Sequence, residues 1–199
     1  VAGRTDTGVH ARGQVAHFDL APAVLESVTG RSDVSPLASL VRRVNGVLEP
    51  DIRVRAIAMA AEGFDARFSA IWRRYCYRIA DHAGCRDPLT RGFVLHWPRN
   101  LDEALMNDAA EALLGEHDFA AFCKRREGAT TIRTLLDLEW ERDQSGVLVG
   151  TVRADAFCHN MVRSLVGCLI AIGEGRKPVT WAAQILEARA RDSAVGVVA

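Results

Sequence analysis

The chain has 199 residues, 49% of them hydrophobic, with 25 Lys and Arg against 25 Asp and Glu and a formal charge of zero. This is the composition of a globular protein, long enough for one large domain or two small packed ones. The charge balance excludes binding of nucleic acid by global attraction, so any phosphate-binding surface has to be local.

In chain order, the first feature is a loop, GRTDTGVHA (3–11), in which an arginine, a threonine and an aspartate lie between glycines. QVAHFDL (14–20) follows with the period-two alternation of a half-buried strand. Ser35 and Pro36 form a helix start, and Leu37, Leu40, Val41, Val44 and Leu48 form an apolar stripe, which predicts a helix over 36–48 ended by Pro50. IRVRAIAMA (52–60) and RFSAIWRRYCYRIA (67–80) read as strands, the second carrying Trp72, Tyr75 and Tyr77. Asp102 caps a helix reaching Leu114, with Gly115 as its stop. TLLDLEWERD and VLVGTVRADAF, separated by Gln144-Ser145-Gly146, predict a hairpin, and two helices follow over about 158–173 and 180–191. The order of elements is that of an α+β fold.

No apolar run reaches the roughly 18 residues of a membrane span. The expectation is a soluble, cytoplasmic protein with no membrane association. The cysteines Cys76, Cys85, Cys123, Cys158 and Cys168 are odd in number and scattered, without a C-x-x-C pair, which argues against disulfides and a zinc site. The tail VGVVA is apolar with no following element to bury it, and the first strand lacks an antecedent, so the sequence reads as a piece of a longer one.

Asp6 and Arg4 are two residues apart in a glycine-flanked loop. The guanidinium favours an ionised carboxylate, and the glycines allow a ligand to come close. Such an aspartate can be a nucleophile, a base or an electrostatic stabiliser. Taken alone, an aspartate in a G-x-x-D-x-G loop more often bonds its own backbone in an Asx-turn. A second chemistry using the same loop would be a metal-dependent phosphoesterase with Asp6, His10, His17 and Asp19 as ligands, although these carboxylates are not clustered as such a site needs. Basic clusters at Arg42-Arg43, Arg73-Arg74 and Lys124-Arg125-Arg126 are candidate phosphate contacts. Strand alternation puts Arg73 and Arg74 on opposite faces, and the Lys124–Arg126 run reads as an exposed loop.

GRTDTGVHA resembles the GRTDAGVHA loop of the TruA-type tRNA pseudouridine synthases, with Thr7 where alanine is usual. GQVAHFD (13–19), FDARFSAIWRRYCYRI (64–79), LLGEHDFAAFC (113–123), TTIRTL (130–135) and DAFCHNMVRSLVGCLIAIGEG (155–175) resemble further blocks of that family in family order, so the likeness covers nearly the whole chain. The resemblance implies an α+β fold of two ferredoxin-like (RRM-like) halves forming a mixed, mainly antiparallel sheet, with helices on one side and a central catalytic cleft. Residues 1–63 would be an incomplete N-terminal half carrying the GRTD loop, and 64–199 a C-terminal half without its last strand, a chain truncated at both ends.

It further implies isomerisation of uridine to pseudouridine at positions 38, 39 and 40 of the tRNA anticodon stem-loop. Asp6 would be the catalytic carboxylate accompanied by Arg4. Tyr75 would stack on the target base, Arg163 would pair with the aspartate or a phosphate, and Arg67 would be a further cleft residue. tRNA is the implied partner and a homodimer the implied assembly. The reaction loses no group and changes no oxidation state, so neither a cofactor nor a metal is expected. The alternative is a non-catalytic RNA-binding module, or an inactive fragment of such an enzyme.

Overall fold

The computed structural model describes residues 1–5, 8–30, 33–124, 126–190 and 194–198. They divide into two compact units, one of Val1–Arg4 with Ala11–Ala70 and the other of Thr5–His10 with Ile71–Ala199.

The first unit holds helices α1 (Pro22–Ser27) and α2 (Pro36–Val47). The second starts where its residues require: Ser35 Oγ accepts from the Ala38 N–H at 3.4 Å, and Pro36 occupies a first-turn position where it costs no hydrogen bond. The Asn45 side chain, on α2, pairs in both directions with the Val54 backbone, donating to its carbonyl and accepting from its N–H at 2.8 Å each. His17 Nδ1 accepts from the Ala66 N–H at 2.8 Å. The predicted strands at 14–20 and 52–60 are not strands: the Val15 carbonyl accepts from the Ala2 N–H at 2.8 Å and Val54 is held by Asn45, but neither segment joins a ladder among the described residues, and the predicted strand at 67–80 begins only at Arg73. Two physical reasons account for this. Period-two alternation specifies a strand only where one face meets a core, and among the described residues of this unit only Val28, Ser39 and Ala66 are buried. Further along, the Asp65 carboxylate accepts from the N–H groups of Arg67 and Phe68 at 2.7 and 3.1 Å, coiling 65–69 into a turn.

The second unit is built on a five-stranded mixed sheet. Its strands are β1 (Arg73–Ala80), β2 (Leu95–His96), β3 (Gly115–Asp118), β4 (Ile132–Arg142) and β5 (Leu148–Ala154), in the order β2-β1-β5-β4-β3. Only β1 and β2 are parallel. The predicted hairpin is present as β4 and β5. Asp143 Oδ1 closes its turn by accepting from Ser145 Oγ at 2.6 Å and the N–H groups of Ser145 and Val147 at 2.9 and 3.2 Å, and Gly146 takes the positive φ of 82° that the reversal needs.

Helices α3 (Glu103–Glu111), α4 (Met161–Gly173) and α5 (Trp181–Ala188) supply the rest of the core. Their predicted starts and stops shift by a few residues. Asp102 caps α3 through the Leu105 N–H at 3.1 Å, Asn160 turns left-handed at φ 68° immediately before α4, and Arg189 does so after α5. A bulge between Leu135 and Asp137 resets the parity of β4, so that Leu135, Leu138 and Trp140 are all buried in the core. Asn107, on α3, repeats the Asn45 motif by bonding both backbone groups of Trp140 at 2.9 and 2.8 Å. None of the described helices is long and apolar enough to cross a membrane.

Asp81, at the end of β1, has a fully buried side chain that meets Arg142 of β4 through two hydrogen bonds of 2.9 and 2.7 Å. The carboxylate also accepts from the Leu101 N–H at 2.9 Å, while Arg142 donates to the carbonyls of Leu101 and Gly146. Burial pushes the Asp81 carboxyl up, but the bonds from Arg142 and Leu101 outweigh it and the net shift is downward.

Two outcomes follow from this packing. Trp140 lies across from Gly150, where a Cβ would sit 2.7 Å from the indole. Gly150→Ala should therefore destabilise the protein by about 2 kcal/mol, read from the denaturant midpoint. Because the folded-state pKa of Asp81 is depressed, its contribution is complete at neutral pH and lost as pH falls through that depressed value. Asp81→Asn should cost about 3 kcal/mol at pH 7 and lose that deficit progressively as pH falls from the ordinary carboxylate range, about 4, where the unfolded chain takes up the proton, through the lower native value.

Candidate active site

In the second unit, β1 presents Tyr75 and Tyr77 on its helix-facing side, where both pack, partly buried, against the core. Arg73 shares their parity, whereas Arg74 and Cys76 lie on the opposite face and are exposed. The Tyr75 ring meets Phe157 edge to face, with centroids 5.1 Å apart and planes at 80°. Phe157 follows β5 and precedes α4, so strand and helix together fix the orientation of Tyr75.

Arg163 lies in the first turn of α4. Its charge acts on Tyr77, whose phenol burial pushes up and the guanidinium pulls back, with a net upward shift. Its Nε donates to the Val198 carbonyl, and the Val198 N–H returns a bond to the Arg163 carbonyl at 3.4 Å. The tail expected to lie uncovered is in fact docked: Val195 is buried and Val198 packs against the core. Tyr75, Tyr77, Phe157, Arg163 and the 194–198 segment thus belong to one packed region. Tyr77 was legible in the sequence as the same-face neighbour of Tyr75. Nothing local in the sequence marks Val198 as a partner of Arg163, because the two are 35 residues apart.

Lys124 and Arg126 are exposed, in the stretch that follows the buried Phe122 and Cys123. The Lys124 N–H donates to the His159 carbonyl at 2.8 Å, which ties the start of this stretch to the approach to α4. The two strands of chain are also joined covalently. Contrary to the expectation of unpaired cysteines, Cys123 and Cys158 form a disulfide with Cα atoms 5.7 Å apart, a pairing that sequence spacing could not reveal because the residues are brought together only by the fold. Cys76, Cys85 and Cys168 are free, and burial pushes the Cys168 thiol up to about 12.

The remaining predicted residues are placed as follows. Asp6 and Arg125 lie outside the described residues. Arg4 is exposed in the first unit, and the neighbouring Gly3 carbonyl accepts from Gln14 Nε2 at 2.6 Å. Arg67, in the same unit, places its guanidinium 5.1 Å from the centre of the Phe68 ring. His17 uses Nδ1 on the Ala66 backbone, and His10 Nε2 lies 3.0 Å from the Gly92 carbonyl, so both rings hold structural contacts. Among the described residues, the group with metal-ligand spacing is Asp81, His82 and Cys85, and Asp81 is already committed to Arg142.

Comparison with known proteins converges on one family. The family model described as tRNA pseudouridine synthase matches residues 109–199. The tRNA pseudouridine synthase A of Streptomyces griseus is 56% identical over 199 residues, covering 100% of this chain and 67% of that protein. That of Frankia casuarinae is 57% identical over 197 residues, covering 99% and 68% respectively. That of Cutibacterium acnes is 50% identical over 200 residues, covering 100% and 68%.

The chain belongs to the tRNA pseudouridine synthase family. It spans about two thirds of the length of these relatives. The likeness to them runs through both units, so the segment bearing Asp6 and the segments bearing Tyr75 and Arg163 fall within the same aligned stretch.

The disulfide makes a direct prediction for this family member. Alkylation after denaturation without reductant should label Cys76, Cys85 and Cys168 alone, with Cys123 and Cys158 reacting only after reduction; peptide mass mapping reads the result.

Proposed function

We propose that this chain isomerises uridine to pseudouridine in tRNA, acting at positions 38, 39 and 40 of the anticodon stem-loop with Asp6 as the catalytic carboxylate. The observation that supports this most strongly is the identity of 56% to a tRNA pseudouridine synthase A across all 199 residues. The non-catalytic RNA-binding reading has no comparable support, since the relatives matched over the whole chain carry an enzyme's name.

The reaction breaks the bond from N1 of the base to C1′, turns the uracil and joins C5 to C1′. No electrons are gained or lost and no group leaves, so side chains suffice. Asp6 acts as nucleophile or base, and Arg4 favours its ionised form against the cost of desolvation. The target uridine has to leave the helical stack before its glycosidic bond can be reached, and Tyr75 receives the base on its ring. Phe157 holds that ring edge-on, which fixes its plane before substrate arrives. Arg163 pairs with the catalytic carboxylate or a substrate phosphate, Arg67 is a further cleft residue, and Lys124, Arg125 and Arg126 meet the RNA backbone. The wider reading includes two ferredoxin-like halves, divided near residue 63 and completed by further chain, a homodimeric assembly and a cytoplasmic location.

Tritium release from tRNA transcript labelled at uracil C5 tests the assignment, since C5 loses its hydrogen as it bonds to C1′. The complete protein should release tritium, and Asp6→Ala should lower the rate by about 10³-fold or more while retaining tRNA binding. RNA binding without release from the folded wild type would support the non-catalytic reading instead.

A further inference from the structure

Arg163 is held from outside its own helix. Its Nε bonds to the Val198 carbonyl, and the Val198 N–H bonds to the Arg163 carbonyl. The bond to Nε leaves the two terminal nitrogens, which form the fork that a carboxylate or phosphate recognises, out of the contact. Val198 can reach Arg163 only because the 194–198 segment lies directly on α4. Gly167 is what admits it. This glycine is four residues beyond Arg163 on the same helical face, about 6 Å along the axis. A Cβ there would fall on the Gly196 carbonyl, 2.8 Å from its carbon and closer to its oxygen. The neighbour in the way is backbone, which cannot rotate aside as a side chain would.

We infer that Gly167 is a positioning residue for Arg163, acting through the 194–198 segment that it allows against α4. The inference rests on the role given to Arg163 above. A methyl group at position 167 lifts Gly196 from the helix and draws Val198 away from the guanidinium. Arg163 is then free to sample several rotamers, and its forked end is no longer set before substrate binds. Glycine at this position is not required by its own backbone angles, because it lies within regular α-helix and lacks a positive φ. Alanine would be the better helix former in the absence of the docked segment.

The test uses the complete protein and the tritium-release assay, with kcat and KM for tRNA measured separately, alongside thermal unfolding. Gly173→Ala is the control. Its Cβ would also collide, 2.8 Å from the Met106 side chain, but it lies at the far end of the same helix. Gly167→Ala should lower kcat by about tenfold or more with KM changed by less than about twofold, whereas Gly173→Ala should lower the melting temperature and leave kcat intact at temperatures where it is folded. Equal loss of kcat in both variants, or unchanged kcat in Gly167→Ala, overturns the inference.

Should Gly167→Ala fail to fold, Val195→Ala loosens the same segment without a collision and should lower kcat by about threefold; a folded Val195→Ala with unchanged kcat also overturns it. Arg163→Ala separates the two layers. Full activity in that variant refutes the role of Arg163 and the inference with it. A large loss there beside unchanged kcat in Gly167→Ala refutes the positioning role alone.

Discussion

Helix α4 is buried along nearly its whole length: 11 of its 13 residues are buried. A helix enclosed in this way cannot rotate or slide without emptying the core, because protein interiors are packed to crystal-like density. Its C-terminal end carries Glu174, an acidic residue where the helix dipole favours a cation. The conflict is resolved locally. The Glu174 side chain, only 1% exposed, accepts from Trp97 Nε1 at 2.9 Å and pairs with Arg99 at 3.2 Å and with Arg176. Burial pushes its carboxyl up, but these donors hold the net value below the ordinary range. The far end of the helix is therefore anchored to the segment after β2.

That rigidity explains which parts of the fold were readable from the sequence. Helices α2 and α3, the hairpin of β4 and β5, and helices α4 and α5 all follow from local signals: Ser35-Pro36, the Asp102 cap, the Gln144–Gly146 turn, and the apolar run from Met161 to Ile172. The misread segments depend on partners distant in sequence. Residues 14–20 and 52–60 have strand-like alternation, but neither joins a ladder among the described residues, and Phe18 and Met59 remain exposed. Conversely, β3 is not legible in the sequence because GEHD has almost no strand propensity; it is a strand because β4 offers it an edge from Ile132 to Leu135.

The site divides along the same line. Tyr75 and Arg163 were visible only through likeness to a family, since a strand aromatic and a helix arginine are ordinary residues by composition. Their surroundings were not visible at all. Phe157 is near Arg163 in sequence but reaches Tyr75 through the pairing of β1 with β5, and Val198 reaches Arg163 by return of the chain over α4. The disulfide is not legible in the sequence for a related reason. Cysteine counting addresses redox compartment and motif spacing, whereas Cys123 and Cys158 meet because the stretch after Phe122 is bonded to the approach to α4 at Lys124 and His159.

An isomerisation that uses no cofactor has to draw its rate from placement and electrostatics. Each group in the second unit argued to take part is held by a contact that the chemistry does not consume: Tyr75 by the edge of Phe157, Arg163 by the Val198 carbonyl on Nε, and Lys124 by its backbone N–H on His159. The ring face of the tyrosine, the fork of the arginine and the ammonium of the lysine are not the parts used for support. For Tyr75 and Arg163 such an arrangement lowers the cost of substrate binding, because part of their rotamer freedom is already lost on folding; for Lys124 only the backbone is fixed. Gly167 and Gly150 set how closely the Gly196 backbone and the Trp140 indole can approach.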